Sequence, residues 1–356
     1  MASMGRANLL AWCLLAAGCG RIDFGARAGG ASGAPDGGTT SGDATIGDGL
    51  GGDGPPAVSC SGLAATCGPA GTSPCCGSPL VPGGAYDRSY DVGTDNAYPD
   101  MTKPATVSNF RLDTYEVTVG RFRQFVNAGM GTQQNPPATG AGGRTLNGMA
   151  NLGGWDPLWN PGLAADTSVL SAAVSSCGQS QTWTNTPGAN ESLPMNCVTW
   201  YEAMAFCVWD GGFLPTEAEW NYAAAGGSEQ RAYSWSLPPS SLTVDCAHAN
   251  GLIYTNYCAN PVMGVANRVG SESPMGDGKW GHADLAGNVA EWTLDWYAAT
   301  YPTPCDGCAN LTSATNRALR GGGFGTNELM LRGAARSSFA PTGRSIVIGL
   351  RCARAP

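Results

Sequence analysis

Leu214-Pro215-Thr216-Glu217-Ala218-Glu219-Trp220-Asn221-Tyr222-Ala223-Ala224-Ala225-Gly226-Gly227 is the stretch that decides the fold of this 356-residue chain. Thr216 followed three residues later by Glu219 is a capping box, so a helix starts here. Acids in a first helical turn are favoured by the helix dipole, and Glu217 and Glu219 therefore read as structural groups before catalytic ones. Just upstream, Thr199 and Glu202 repeat the box ahead of an apolar run through Trp209, and Gly211 or Gly212 supplies the stop.

Working outward, Leu80 to Tyr86 reads as a turn leading into a strand, and Phe110 to Val117 as a second strand. Thr118 caps a following helix whose apolar stripe is Val119, Phe122, Phe125 and Val126. Downstream come Gly281-His282-Ala283-Asp284-Leu285-Ala286-Gly287-Asn288-Val289-Ala290-Glu291-Trp292, the run Arg320-Gly321-Gly322-Gly323-Phe324-Gly325-Thr326, and the close Gly349-Leu350-Arg351-Cys352. In this order the motifs resemble the formylglycine-generating enzymes, or sulfatase-modifying factors, over about residues 80 to 354. The central "Leu-Pro-Thr-Glu-Ala-Glu-Trp" and the "Gly-Asn-Val-x-Glu-Trp" elements are the specific ones. One departure is Phe213, where that family usually has arginine.

The resemblance implies a fold, α+β and C-type-lectin-like: irregular, loop-rich, with two main helices and short twisted sheets. The 53 glycines and 24 prolines suit such a domain. It also implies a disulfide between Cys207 and Cys352. A second family disulfide would fall at Ala224 and Gly333, where both cysteines are missing together.

The family's active segment carries two cysteines that bind copper(I) and activate oxygen. Here no cysteine lies between Arg320 and Arg351. Thr326 falls at the first cysteine position and Leu331 or Glu328 at the second, and none of the three is a soft ligand. Copper is therefore not expected unless another pair, such as Cys305 and Cys308, is recruited. A related iron-dependent branch needs more histidines than the two present, His248 and His282. Calcium is the cofactor that the resemblance leaves. Carried over by position, its ligands are the Asp284 carboxylate, the Gly287 and Val289 carbonyls, and Glu291. The plainer alternative is a turn in which Asp284 and Glu291 only accept backbone hydrogen bonds. Asn250 matches the anchor of a second family site whose aspartate is not identifiable.

The first nineteen residues read as an export signal, with Arg6 ahead of the apolar Leu9 to Ala17. Ala16-Ala17-Gly18-Cys19 has the form of a lipobox, making Cys19 the expected lipidation site; Gly20 after it favours the outer membrane of a Gram-negative cell. Residues 20–57, rich in Gly, Ala and Asp, hold too little apolar surface to fold and read as a disordered tether, about 35 Å between ends on average. Residues 58–79 form a Cys-rich neck and 80–356 the domain. Net charge is -8 with no basic cluster, which speaks against nucleic acid.

Setting aside Cys13 and Cys19 leaves twelve cysteines, an even number that in an exported protein favours disulfides. Cys60, Cys67, Cys75 and Cys76 permit three pairings, and the sequence does not choose among them. Other expected pairs are Cys177–Cys197, Cys246–Cys258 and Cys305–Cys308, the last with a metal-like spacing but no second pair nearby. Trp200, Trp209, Trp220, Trp292 and Trp296 sit on motif positions and read as core. Trp155, Trp159, Trp183 and Trp235 are candidates for a groove, though core packing is the commoner fate.

The expectation is thus an exported, lipid-anchored, non-oxidase module binding a peptide, protein or glycan at the cell surface. The rival from another class is a formylglycine-generating oxidase acting on sulfatase cysteine motifs; a third reading is a structural surface protein.

Overall fold

Both capping boxes form as the sequence predicts. In the computed structural model, which describes residues 57–356, Thr118, Thr199 and Thr216 cap three helices. These are α1 (Val119–Asn127), α3 (Trp200–Trp209) and α4 (Glu217–Ala224), with a short α2 (Thr167–Val174) between the first two. Helix α3 is apolar nearly all round and nearly all buried, as a helix sunk in a core must be. Phe122 and Phe125 of α1 meet Phe206 and Trp209 of α3 at ring-centroid distances of 5.4 to 5.7 Å, which fastens the two helices by aromatic contact.

The main sheet has four strands, ordered Ser337–Phe339, Arg317–Arg320, Ala290–Trp296 and Ile348–Gly349. Its last pair is parallel and the others antiparallel. A three-stranded sheet joins Leu80–Val81, Phe110–Leu112 and Ala353–Arg354, so the last strand pairs beside the first strand of the domain. This is the expected α+β, loop-rich architecture. The strand expected through Val117 stops at Leu112. Asp113 turns inward there to meet Arg121 and Arg354 at 2.8 and 3.1 Å, and those buried ion pairs bend the backbone out of the ladder.

All twelve described cysteines are paired. Cys207 joins Cys352, and Cys177–Cys197, Cys246–Cys258 and Cys305–Cys308 form as expected. In the neck the structure selects Cys60–Cys76 and Cys67–Cys75. The neck is stapled into the domain: the Ser59 amide donates to Asp210 at 2.6 Å and Arg121 donates to the Ser59 hydroxyl. A Cβ on Gly333 would lie 3.2 Å from that of Ala224, so the positions of the absent family disulfide are true neighbours. Trp155 and Trp183 are buried in the core rather than lining a groove, and Trp159 and Trp235 are half-buried against it. Cys19 and the 20–56 segment lie outside the described residues. No helix among the described residues is long and apolar enough to cross a membrane.

Candidate functional site

Where the Arg317–Arg320 strand ends, Gly321 and Gly322 adopt φ of 88° and 65°, which turns the chain back over the sheet. A side chain at Gly322 would lie 2.5 Å from the Thr326 hydroxyl, so this turn requires glycine. The turn and the Ser337–Phe339 strand wall a cleft of about 200 Å³. Leu319, Val347, Ile348 and Phe339 give it an apolar floor, and Thr326, Ser337 and Ser338 supply hydroxyls.

Thr326 lines this cleft but spends its hydroxyl on its own turn, accepting from the Gly323 amide and donating to the Gly323 carbonyl, both at 3.0 Å. Glu328 accepts from the Tyr254 amide, and Leu331 is fully buried in a hydrophobic cluster. Each position expected for a copper cysteine therefore has a structural task.

Beneath the cleft, Glu217 holds its two walls together. Its carboxylate accepts from Arg320 Nε at 3.1 Å and from Arg336 Nε and Nη2 at 2.6 and 2.7 Å. Burial would raise the Glu217 carboxyl, but Arg320 and Arg336 together hold it below the usual value. Arg320 also donates to the carbonyls of Gly333, Ala334 and Ala335. The two arginines thus make framework contacts on both sides of the Glu217 carboxylate. Neighbouring Asp295 accepts from the Glu217 and Asn310 amides; burial, then the Glu217 charge, pushes its pKa up to about 6. Glu219 completes its capping box and pairs with Arg144, whose guanidinium lies 3.8 Å over the Phe213 ring.

The second candidate is the turn before Ala290. Asp284, Gly287 and Asn288 all take positive φ, and a Cβ at Gly287 would strike the Asn250 carbonyl at 2.4 Å. Glu291 follows this turn on the Ala290–Trp296 strand with its carboxylate already engaged. Both its oxygens are taken by Arg351 at 2.8 to 3.1 Å, and one also by Trp220 Nε1 at 2.7 Å, because the Ala290–Trp296 strand and the link between the Ile348–Gly349 and Ala353–Arg354 strands bring these charges face to face. Among the described residues no three His, Cys, Asp or Glu side chains converge as metal ligands. Asn250 turns its amide to Val265 and Asn288, which commits it to the turn.

What the sequence did not reveal is Glu116. Buried, it accepts from Asn288 Nδ2 at 2.7 Å and from the Val289 amide at 3.0 Å, across 172 and 173 residues of chain. Burial, then the Asp284 and Glu291 carboxylates, pushes the Glu116 carboxyl well up. Asp284 accepts from the Gly270 amide at 2.6 Å; burial, then Glu272, raises it to about 7. Three buried acids thus share one guanidinium, Arg351. Of the three, the Glu116 and Asp284 carboxylates are the hard oxygens that no guanidinium bonds directly, and they are the ones that could take a divalent cation. His282 is buried and neutral: burial, then Arg351, lowers its pKa to about 3, and Nε2 donates to the Leu112 carbonyl.

A family model described as the sulfatase-modifying factor enzyme 1-like domain matches residues 64–356. The chain is 30% identical over 296 residues to the formylglycine-generating enzyme of Streptomyces coelicolor, covering 78% of this chain and 88% of that protein. It is 27% identical over 294 residues to a Bos taurus protein named inactive C-alpha-formylglycine-generating enzyme 2, covering 77% and 86%. Among solved structures, PvdO from Pseudomonas aeruginosa matches at a TM-score of 0.53 and 21% identity, covering 78% of this chain and 94% of that one, a likeness of fold alone.

Proposed function

The chain belongs to the sulfatase-modifying factor family, and from that membership we propose a ligand-binding role without the oxidase chemistry. One observation carries this reading: every described cysteine is in a disulfide, while in the register of the resemblance Thr326 takes the first copper-cysteine position and Leu331 or Glu328 the second. Copper(I) binding requires free thiolates, and the residues lining the cleft, which are hydroxyl and apolar groups, Met330 and the engaged Arg320 and Arg336, include no cysteine. The Ser337–Phe339 strand is paired on one side only, so its other edge is open to an extended peptide, whose side chain the 200 Å³ cleft would receive. Arg320, Arg336 and Glu217 fix the walls and take no part in chemistry. We place the head outside the cell, tethered through lipidated Cys19, on the strength of the lipobox and the oxidised cysteines.

Calcium belongs to this proposal as a structural ion. Glu116, Asp284 and the Gly287 and Val289 carbonyls would hold it, and it would neutralise buried carboxylate charge. Binding only the folded state, it should raise the melting temperature of chelator-stripped protein, and Asp284→Ala should abolish that rise. An equal rise in wild type and variant would mean the turn holds no ion.

Peptide binding is tested by passing a library of short random peptides over immobilised wild-type protein and over Ser338→Trp, which fills the cleft. Selective enrichment by the wild type alone is expected; equal retention by both proteins would contradict the assignment. The Streptomyces relative favours the second reading, a formylglycine-generating oxidase, and that reading needs a thiol pair reduced elsewhere in the chain.

A further inference from the structure

Thr303-Pro304-Cys305-Asp306-Gly307-Cys308 plays no part in the cleft or the acidic turn, yet it holds two cysteines at the spacing of a thiol–disulfide exchange motif. Its backbone is clamped from outside. The Thr106 amide donates to the Cys305 carbonyl at 2.9 Å, the Gly307 amide to Thr106 at 2.8 Å, and the Asn147 amide to Gly307 at 3.1 Å. A loop held in this way keeps its two sulfurs together after the bond between them opens.

The sulfurs are not equivalent. Cys308 lines a cavity of about 320 Å³ walled by Asn147, Pro302, Pro304 and Ala309, and Cys305 does not. Arg88 Nη1 donates to Cys308 Sγ at 3.5 Å. Among the described residues, no other disulfide sulfur accepts from a charged side chain. Arg88 itself is 2% exposed; its remaining donors go to the Lys103 and Pro302 carbonyls and its face lies over Tyr301. It forms no salt bridge among the described residues. A buried guanidinium without an anion is costly, and a thiolate at Cys308 would supply the missing charge. Asp306, the nearest acid on the loop, is exposed and screened. The two sulfurs are joined to each other, so in this state neither is a thiolate ligand.

We propose that Cys305–Cys308 is a redox-active disulfide that exchanges with dithiols of exported peptides or proteins, with Cys308 as the attacked sulfur and Arg88 as the cation that stabilises its thiolate. A substrate thiolate attacks Cys308 Sγ. The Cys305–Cys308 bond breaks, and its electron pair leaves on Cys305 Sγ, which takes a proton from water. The substrate's second thiolate then attacks the substrate sulfur of the mixed disulfide, closing the substrate disulfide and releasing Cys308 as a thiolate beside Arg88. Two electrons pass from the substrate dithiol to the protein. Because Arg88 stabilises the reduced form, the disulfide is an oxidant relative to the structural pairs.

Two measurements test this. Native protein is equilibrated in glutathione buffers of graded ratio, quenched in acid, alkylated and mapped pair by pair. Cys305–Cys308 should open at a poise where the other five described pairs stay closed; opening together with them, or after them, would overturn the proposal. In the second, single-thiol variants react with an aromatic disulfide probe. Cys305→Ser, which leaves Cys308, should react about tenfold faster than Cys308→Ser, and adding Arg88→Met should remove that advantage. Equal rates, or an advantage indifferent to Arg88, would refute the roles assigned. The titration of the unaltered protein decides the matter if a variant fails to fold.

Discussion

Glu291 and Asp295 lie four residues apart on one strand, and their surroundings give them opposite behaviour. Glu291 is fully buried against Arg351, so Glu291→Ala should cost about 3–5 kcal/mol in urea unfolding, because it strands a buried guanidinium. A loss below about 1 kcal/mol would mean the pair contributes as little as a surface one. Among the described residues Asp295 forms no salt bridge, and burial, then the Glu217 charge, raises its pKa from 3.8 to about 6. Between those values the folded state holds a proton that the unfolded state has released, so this group's contribution to stability falls as pH rises from about 4 to about 6. Asp295→Asn removes the ionisation. The stability difference, wild type minus variant, should therefore fall across that window and level off above it; a constant difference would refute the assignment. Neither environment was legible in the sequence. Glu291 meets Arg351 across 60 residues and Glu116 meets Asn288 across 172, and residue spacing carries no information about such encounters.

Helix starts, in contrast, were readable, because a cap and its target lie three residues apart. The structure adds that Glu217, in the first turn of α4, carries far more than a helix start. Thr216→Ala removes one cap and should cost about 1 kcal/mol. Glu217→Ala leaves Arg320 and Arg336 facing each other without a counter-ion, and should cost about 3–5 kcal/mol. Similar losses in the two variants, measured in the same urea unfolding experiment, would show that Glu217 acts only through the helix dipole. The Phe110 strand was overestimated for the converse reason. Its residues favour extension, but Asp113 is drawn inward by Arg121 and Arg354, which lie 8 and 241 residues away.

Across the molecule, Cys207–Cys352 closes a separation of 145 residues and ties the chain end to α3. Replacing both cysteines by alanine should cost roughly 4–5 kcal/mol in the loop-entropy model. Cys305–Cys308 spans only 3 residues, so its loss should be tolerated far better. Membrane attachment is tested by Cys19→Ser, which should release the protein from the membrane fraction or leave it unprocessed; a variant processed and bound like the wild type would contradict the anchor. The central claim is that a sulfatase-modifying-factor fold here serves binding and not oxidation. Its most direct measurement is the mass of a Cys-x-Pro-x-Arg peptide after incubation with the purified protein, copper(I) and oxygen. The account predicts an unchanged peptide, even after mild reduction has opened Cys305–Cys308. Catalytic conversion of the peptide thiol to an aldehyde would contradict it.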